Sequence, residues 1–283
     1  MPLFSSSDDG GNGRTLGGGR LLIALAIAAF SVVSYLATRQ SNPVTGKVQH
    51  ISITPDQEIA LGLQAEPQME QQYGGESSDA EAAARVARIG RRIVERSEAG
   101  KTPYKYEYHL LADPQTVNAF ALPGGQIFLT EALYRHLETD GEVAGVLGHE
   151  TGHVVARHSA EQIAKSRLTQ GLTGAAVIAT YDPNNPSSQR NAAVAALVGQ
   201  LVTMRFSRQD ESEADALGVQ LMTQSGYDPT SMIKVMEVLQ KEAGGGRQPE
   251  FFSTHPNPAH RIEQIQADIQ KDYPNGPPSG LEK

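Results

Sequence analysis

The sequence predicts an α+β fold that is mostly helical, with a small sheet beside one central helix. Segments with apolar residues at helical spacing recur along most of the 283 residues. Segments that alternate apolar and polar residues cluster just before the stretch GHETGHVVARHSA, Gly148 to Ala160. The absence of an internal repeat argues against a helical-repeat protein. We therefore expect one domain in which the sheet lies near the helix of that stretch.

Composition argues against nucleic-acid binding and excludes sites built from cysteine. The formal net charge is −8, and no local run of Lys and Arg opposes it. Nucleic-acid binding needs a basic face, so this charge argues against it. The chain has no cysteine, which excludes disulfides and thiolate metal sites. Any metal ion must therefore be held by histidine, aspartate or glutamate.

The N-terminal region predicts a membrane anchor. Residues 1–20 are polar and glycine-rich, so we expect a disordered tail there. Leu21 to Ala37 is an uncharged run of 17 residues, at the lower limit for a helix that spans a bilayer. A cleaved signal segment is the alternative, but bulky Tyr35 lies where cleavage needs a small residue. Arginines before the run favour a cytoplasmic N-terminus and a globular part outside the cytoplasm.

The globular part is predicted at residues 51–272, after a linker at 38–50 and before a disordered tail at 273–283. Thr54 is typical of a helix N-cap, and Asp140 is expected to cap the helix that carries the histidines. Between these caps the sequence predicts a helix ending at a glycine, a strand in YKYEYHLLA and a hairpin in VNAFALPGGQIFLTEAL. Two later apolar runs, LTGAAVIAT and NAAVAALVGQLVTM, are too short to span a bilayer and indicate covering or interfacial helices.

The histidine-rich stretch predicts a metal site. His149 and His153 are four residues apart, so on a helix both imidazoles lie on one face and can reach one zinc ion. Glu150 lies close enough to touch a zinc-bound water without being a ligand. His158 is expected to point away from His149, as a surface or structural histidine. The alternative is a pair of surface histidines on an amphipathic helix, in a structural or scaffold protein that binds no stoichiometric zinc.

A later acidic segment, MRFSRQDESEADALGVQLM, offers a further ligand. A catalytic zinc needs a third protein ligand and an open position for water. Glu211 and Asp215 share a helical face, whereas Glu213 points elsewhere. We predict that Glu211 binds the metal and that Asp215 accepts a hydrogen bond from a ligating imidazole. Taken alone, the segment would be a solvated helix start.

The motifs together resemble a known family. GHETGHVVARH and SRQDESEADALG are similar to the zinc metallopeptidases grouped with HtpX, the mitochondrial Oma proteases and the CAAX prenyl proteases, which are HExxH gluzincins. NAFALPGGQIFLTEAL and STHPNPAHRI match two further motifs of that family, and the likeness covers residues 55–270. Only one spanning helix is predicted, so the chain looks more like the single-anchor or periplasmic branch. The resemblance implies a minigluzincin-like peptidase domain with a small sheet beside the HExxH helix.

The resemblance also implies roles for residues near the metal. One Zn²⁺ per chain would be held by His149, His153 and Glu211, with Glu150 as general base. The family places a downstream histidine and arginine near the site, which makes His255 and Arg261 candidate donors to the oxyanion. A rival role for His255 is to fill the open position on zinc and keep the enzyme latent.

The segment from Asn118 to Phe128 is the predicted substrate-binding strand. An extended polypeptide would add to its edge through backbone hydrogen bonds, which accept many sequences. An ordinary hairpin with a tight Pro-Gly-Gly turn is the alternative, and the loop from Tyr181 to Arg190 is a candidate cover for the cleft. The residues expected to bind substrate are Asn118, Ala119, Phe120, Gly124 and Gly125.

These inferences lead to one function and one rival. The first is a membrane-anchored zinc metalloendopeptidase that hydrolyses unfolded or misassembled envelope proteins. It would lie in a bacterial inner membrane with its catalytic domain in the periplasm, or be soluble there if the anchor is cleaved. The rival is a zinc-containing, membrane-tethered chaperone with latent or no protease activity, which also binds unfolded polypeptides.

Overall fold

The structure, a computed structural model, describes residues 15–180, 205–244, 249–256 and 260–283. The predicted mostly helical α+β fold is confirmed in this part of the chain. The loop from Tyr181 to Arg190 and the second apolar run lie outside the described residues. The elements are α1 (Thr15–Ala37), β1 (Arg39–Ser41), β2 (Val48–His50), α2 (Pro55–Gln72), α3 (Ala80–Arg96), β3 (Glu107–Leu111), β4 (Ala119–Ala121), β5 (Gln126–Thr130), α4 (Glu131–Tyr134), α5 (Asp140–Ala156), α6 (His158–Thr180), α7 (Arg208–Gln224), α8 (Ser231–Gly244), α9 (Phe251–Thr254) and α10 (Arg261–Asp272), with a 3₁₀ turn at Glu98–Lys101.

Helix α5 is the centre of the domain, and nearly all of its residues are buried. It packs against α3, α7, α8 and the sheet. A Cβ at Gly152 would lie 2.9 Å from the carbonyl oxygen of Ala214, so glycine there lets α7 approach α5 closely. The expected cap at Asp140 is wrong by one residue, because Thr139 Oγ1 accepts from the backbone N–H of Glu142 at 3.2 Å. Burial of α5 from every side means that any polar group on it faces protein.

The sheet has the strand order β3-β5-β4, with β3 parallel to β5 and β4 antiparallel to it. Phe128 therefore lies in the middle strand, and of the segment predicted to bind substrate only β4 offers an edge. The hairpin turn requires glycine, because Gly124 and Gly125 have φ values of 86° and 113°. A Cβ on Gly124 would lie 2.4 Å from Cα of Ile59 in α2. Both glycines are buried, Gly124 against α2 and Gly125 against the backbone just before β3, which corrects their prediction as substrate-binding residues.

The N-terminal elements differ from the sequence prediction in extent. Helix α1 begins at Thr15, so residues 15–20 are helical rather than part of a tail. Gly19–Ala37 is long and apolar enough to cross a membrane. The predicted linker contains the β1–β2 hairpin, and Tyr35 stacks on His50 with ring centroids 4.3 Å apart. Hairpin pairing satisfies backbone groups that the polar composition had suggested were solvated.

The structure agrees with the predicted cap at Thr54 but not with the predicted disordered C-terminal tail. Thr54 forms a capping box with Gln57, as expected for a cap at that position. The tail is not disordered, because the backbone N–H of Asp228 donates to the Glu282 carbonyl at 2.8 Å and Glu282 N–H donates to the Gly226 carbonyl at 2.9 Å. Arg92 also pairs with the Glu282 carboxylate. Proline and glycine predicted disorder, but these long-range backbone bonds order the tail.

Candidate metal centre

Two helices bring three of the predicted ligands together. His149 and His153 lie on successive turns of α5, and their Nε2 atoms are 3.1 Å apart. Glu211, in the first turn of α7, places Oε1 3.4 Å from His153 Nε2 and Oε2 3.6 Å from His149 Nε2. All three side chains are almost fully buried. The spacing of four residues on α5 thus produces the convergence that the sequence predicted.

His255 joins the same cluster from the end of α9. Its Nδ1 lies 3.0 Å from Glu211 Oε1 and 3.4 Å from His149 Nε2. The Phe251 ring stacks on its imidazole with centroids 4.4 Å apart, and the His255 N–H donates to the Phe251 carbonyl at 2.8 Å. One ligand atom from each of His149, His153, Glu211 and His255 lies within 4.8 Å of the others.

The donor set fits a zinc ion. Facing imidazole nitrogens at 3.1 Å can share at most one proton, so at least one lone pair points into the cluster. Glu211 Oε2 makes no hydrogen bond among the described residues, although it lies 3.0 Å from Arg261 Nη1. Imidazole and carboxylate groups are ligands that zinc prefers in proteins. A shared cation would bind the lone pairs that these groups direct into the cluster.

Glu150 lies beside the cluster but outside it. Its carboxylate is fully buried, and in the described structure neither oxygen has a hydrogen-bond partner. Oε1 is 3.6 Å from His255 Nε2. Burial raises the pKa of this carboxyl, an effect that the nearby positive groups only partly offset. An unpaired buried carboxylate is costly for stability, so its presence indicates a chemical role.

The pKa values of His153 and Glu211 favour the binding of a cation. Burial lowers the pKa of His153 well below its usual value, which keeps the imidazole neutral. Burial alone would raise the pKa of Glu211, but the charge of His255 and hydrogen bonds from His153 and His255 outweigh it and lower that pKa well below the usual value. For His153 and Glu211 these are the protonation states that metal binding requires, a neutral imidazole and an ionised carboxylate.

His149 is oriented by a buried ion pair. Its Nδ1 is 2.9 Å from Asp215 Oδ1, as predicted for a hydrogen bond that sets the imidazole tautomer. Arg261 donates from Nε and Nη2 to the two oxygens of Asp215, both at 2.8 Å. Its Nη1 lies 3.0 Å from Glu211 Oε2. The structure therefore places Arg261 behind the ligands.

His153 is oriented by a residue whose position the sequence did not predict. His158 is fully buried, and its Nδ1 lies 2.9 Å from His153 Nδ1. Its Nε2 is 3.1 Å from Glu213 Oε2, which also pairs with Lys47. The helix ends at Ala156, and Arg157 takes a left-handed φ of 61°. That break redirects the chain, so His158 is not a surface residue and returns to contact His153.

A narrow cleft runs between β4 and His255. Its lining includes Tyr73 and Asn118, together with Met69, Phe120, Ala121, Leu122, Ser159, Phe206, Thr254 and His255. Of the residues predicted to bind substrate, Asn118 and Phe120 line this cleft, whereas Ala119 is fully buried and pairs with Leu129 across the sheet. Phe206 covers His153, with ring centroids 4.1 Å apart. Tyr73 was not predicted, since nothing local in the sequence connects it with the motifs. Phe206 was not predicted either, although it lies in the same acidic segment as Glu211.

Two imidazoles from an HExxH helix, a glutamate from a second helix and an unpaired glutamate beside them define a metallopeptidase. Residues 80–269 match the model of peptidase family M48. The chain belongs to peptidase family M48. This confirms the family resemblance and the assignment as a metallopeptidase enzyme.

Relatives of known name agree with this assignment. Mitochondrial metalloendopeptidase OMA1 of Schizosaccharomyces pombe is 32% identical over 244 residues, which covers 85% of this chain and 69% of that protein. The beta-barrel assembly-enhancing protease of Escherichia coli is 34% identical over 180 residues, which covers 62% of this chain and 36% of the relative. OMA1 of Arabidopsis thaliana is 36% identical over 164 residues, and this chain covers 32% of its length. The chain thus spans about a third of the latter two proteins.

Proposed function

We propose that this chain is a zinc-dependent endopeptidase, anchored in a membrane by α1, that cleaves unfolded or misassembled polypeptides. The observation that carries the proposal is the convergence of four ligand atoms beside the unpaired carboxylate of Glu150. His149, His153 and Glu211 would hold one zinc ion per chain. Zinc bound there would provide a water with a pKa of about 7 and would polarise the scissile carbonyl.

Glu150 is the proposed general base. Its free oxygens can take a proton from the attacking water and deliver it to the leaving amine. Asp215 and Arg261 act by holding His149 and Glu211 in place, because their polar atoms contact those side chains. We therefore assign Arg261 to positioning in preference to oxyanion stabilisation.

For His255 the geometry favours the latch over the catalytic role. Its Nδ1 lies among the ligand atoms, where an imidazole would fill the position that zinc needs for water. Rotation of the α9 segment away from the cluster would free that position and leave His255 near the cleft as an oxyanion donor. Removing the imidazole distinguishes the two roles, because loss of a latch would accelerate cleavage and loss of an oxyanion donor would slow it.

The edge of β4 is the proposed docking site for substrate. No strand in the described parts of the chain pairs with its outer edge. An extended peptide can add there, with side chains entering the cleft beside His255. Backbone pairing requires an unfolded segment, which is the basis for proposing unfolded or misassembled clients. The apolar length of α1 supports an inner-membrane anchor, and we place the catalytic domain in the periplasm from the arginine bias of the sequence.

Casein cleavage by the full chain in detergent tests the proposal. We expect cleavage that stops with a chelator, returns with zinc and is absent in Glu150→Gln, because that variant keeps the ligands but loses the base. Faster cleavage by His255→Ala would establish the latch, and slower cleavage would establish the catalytic role. Zinc bound at one per chain without cleavage by wild type or His255→Ala would contradict the peptidase and support the chaperone.

A further inference from the structure

The cleft contains a buried polar atom that the proposed chemistry does not use. Asn118 is 2% exposed, and its Oδ1 has no hydrogen-bond partner within the described structure. The backbone of the same residue is fixed, because its N–H donates to Thr130 Oγ1 and its carbonyl accepts from Thr130 N–H, both at 3.1 Å. An unpaired buried amide oxygen needs a donor, and the cleft it lines is where a peptide would lie.

Hydrogen bonds from Asn118 to Tyr73 and from Tyr73 to Glu250 determine the orientation of the Asn118 amide. Glu250 Oε1 lies 2.7 Å from the Tyr73 hydroxyl, and a carboxylate can only accept. The single hydroxyl proton is therefore committed to Glu250, which leaves the Tyr73 oxygen as an acceptor. Asn118 Nδ2 donates to that oxygen at 3.1 Å. With Nδ2 held by Tyr73, Oδ1 must face the other way.

The Tyr73 hydroxyl remains protonated, so it can donate to Glu250. Burial raises the pKa of Tyr73 above its usual value, and the hydrogen bond to Glu250 raises it further. Tyr73 is 5% exposed and its ring packs on Phe120 with centroids 5.3 Å apart, so the hydroxyl has a fixed position. Without Glu250, the hydroxyl could donate to Oδ1 instead, and the amide could turn over.

We propose that Tyr73 and Glu250 are positioning residues that hold Asn118 Oδ1 toward the cleft to accept one backbone N–H of the substrate. The site then requires an N–H at that one position of the peptide and rejects proline there. This gives the enzyme a specificity that is independent of side-chain identity, which suits an enzyme of unfolded chains. The inference rests on the proposed function, because it assumes that the cleft holds the scissile peptide.

An ester scan of a peptide substrate tests it. In a quenched fluorescent peptide, each backbone amide flanking the scissile bond is replaced in turn by an ester, which exchanges the N–H for an oxygen that cannot donate. For wild type we expect one position outside the β4 pairing at which the ester lowers kcat/KM by about tenfold, since a buried acceptor loses its donor. A peptide with proline at that position should be cleaved no faster than the peptide with the ester there.

The variants separate positioning from folding. In Tyr73→Phe the ester penalty at that position should fall below about twofold, while penalties elsewhere stay as in wild type. Glu250→Ala should behave like Tyr73→Phe, whereas Glu250→Gln should keep the penalty, because its amide oxygen still accepts from Tyr73. Tyr227→Phe is the matched control, since its hydroxyl is also buried, makes no hydrogen bond among the described residues and does not line the cleft.

An unchanged penalty in Tyr73→Phe, or no such position in wild type, would overturn the inference. The Kd of the same peptides for Glu150→Gln, with and without Tyr73→Phe, makes the comparison without turnover. If wild type cleaves no peptide but the Kd series shows the Tyr73-dependent penalty, the proposed peptidase function fails and the inference stands. If peptides are cleaved with no penalty, the reverse holds.

Discussion

The two zinc-binding histidines proposed on α5 are supported in different ways. On one side, His149 Nδ1 contacts Asp215, whose charge is balanced by Arg261, and all three are 3% exposed or less. On the other, His153 Nδ1 contacts His158, whose second nitrogen reaches Glu213 near the surface. Both arrangements engage Nδ1, so Nε2 of each imidazole faces the other ligand atoms. The first depends on a buried ion pair, and the second is a chain of contacts that ends at a partly exposed residue.

The difference predicts which support matters more. In a buried ion pair, loss of one partner leaves the other charge without compensation. In a relay that ends at a partly exposed pair, water can replace the outermost partner. Effects of substitution should therefore be largest at Arg261, intermediate at His158 and smallest at Lys47.

Arg261→Met should have the largest effect. Asp215 and Glu211 both lose a buried cation, so we expect a loss of roughly 3–5 kcal/mol in the free energy of unfolding. Zinc affinity should fall roughly 10–100-fold, because His149 loses its fixed orientation. Denaturant unfolding and zinc competition with a chromophoric chelator measure the two quantities. Arg85→Met, which also removes an arginine from an aspartate, is the control and should leave zinc affinity unchanged.

His158→Phe should have an intermediate effect. Phenylalanine fills most of the space but cannot accept the proton on His153 Nδ1, so zinc affinity should fall about tenfold. The free energy of unfolding should fall by about 1–3 kcal/mol, because a buried donor is left unpaired. Zinc competition and thermal unfolding of the zinc-loaded protein report these changes. His109→Phe, at another histidine that contacts an aromatic ring, should leave zinc affinity as in wild type. Equal losses in both variants would refute the relay.

Local and long-range parts of this site differ in how far the sequence predicts them. His149, Glu150 and His153 could be placed because one helical turn determines their relative positions. His158 could not, because its direction depends on a left-handed residue, Arg157, that interrupts the helix without a glycine. Continuing the helix across that break predicted that the His158 side chain points away from the metal site, which is wrong.

The cleft shows the same limit. Asn118 could be proposed from its motif, but its partner Tyr73 is 45 residues away and Glu250 is 177 residues from Tyr73. No local pattern connects residues so far apart. Gly124 and Gly125 belong to the predicted substrate-binding segment, yet the turn buries Gly124 against α2 and Gly125 against the backbone before β3. Strand and turn positions follow from sequence, whereas the side that faces a ligand depends on packing.

Lys47→Met tests the outer end of the relay and should have the smallest effect. The Lys47 side chain is 41% exposed, and exposed ion pairs contribute about 0–1 kcal/mol. Glu213 keeps its contact with His158, so zinc affinity should change less than about twofold. Lys234→Met removes another exposed lysine–glutamate pair, on α8, and is the matched control for thermal unfolding and zinc competition. A tenfold loss of zinc affinity in Lys47→Met alone would mean that the charge of Lys47 reaches His153 through the relay, and the two histidines would then be equally dependent on ion pairs.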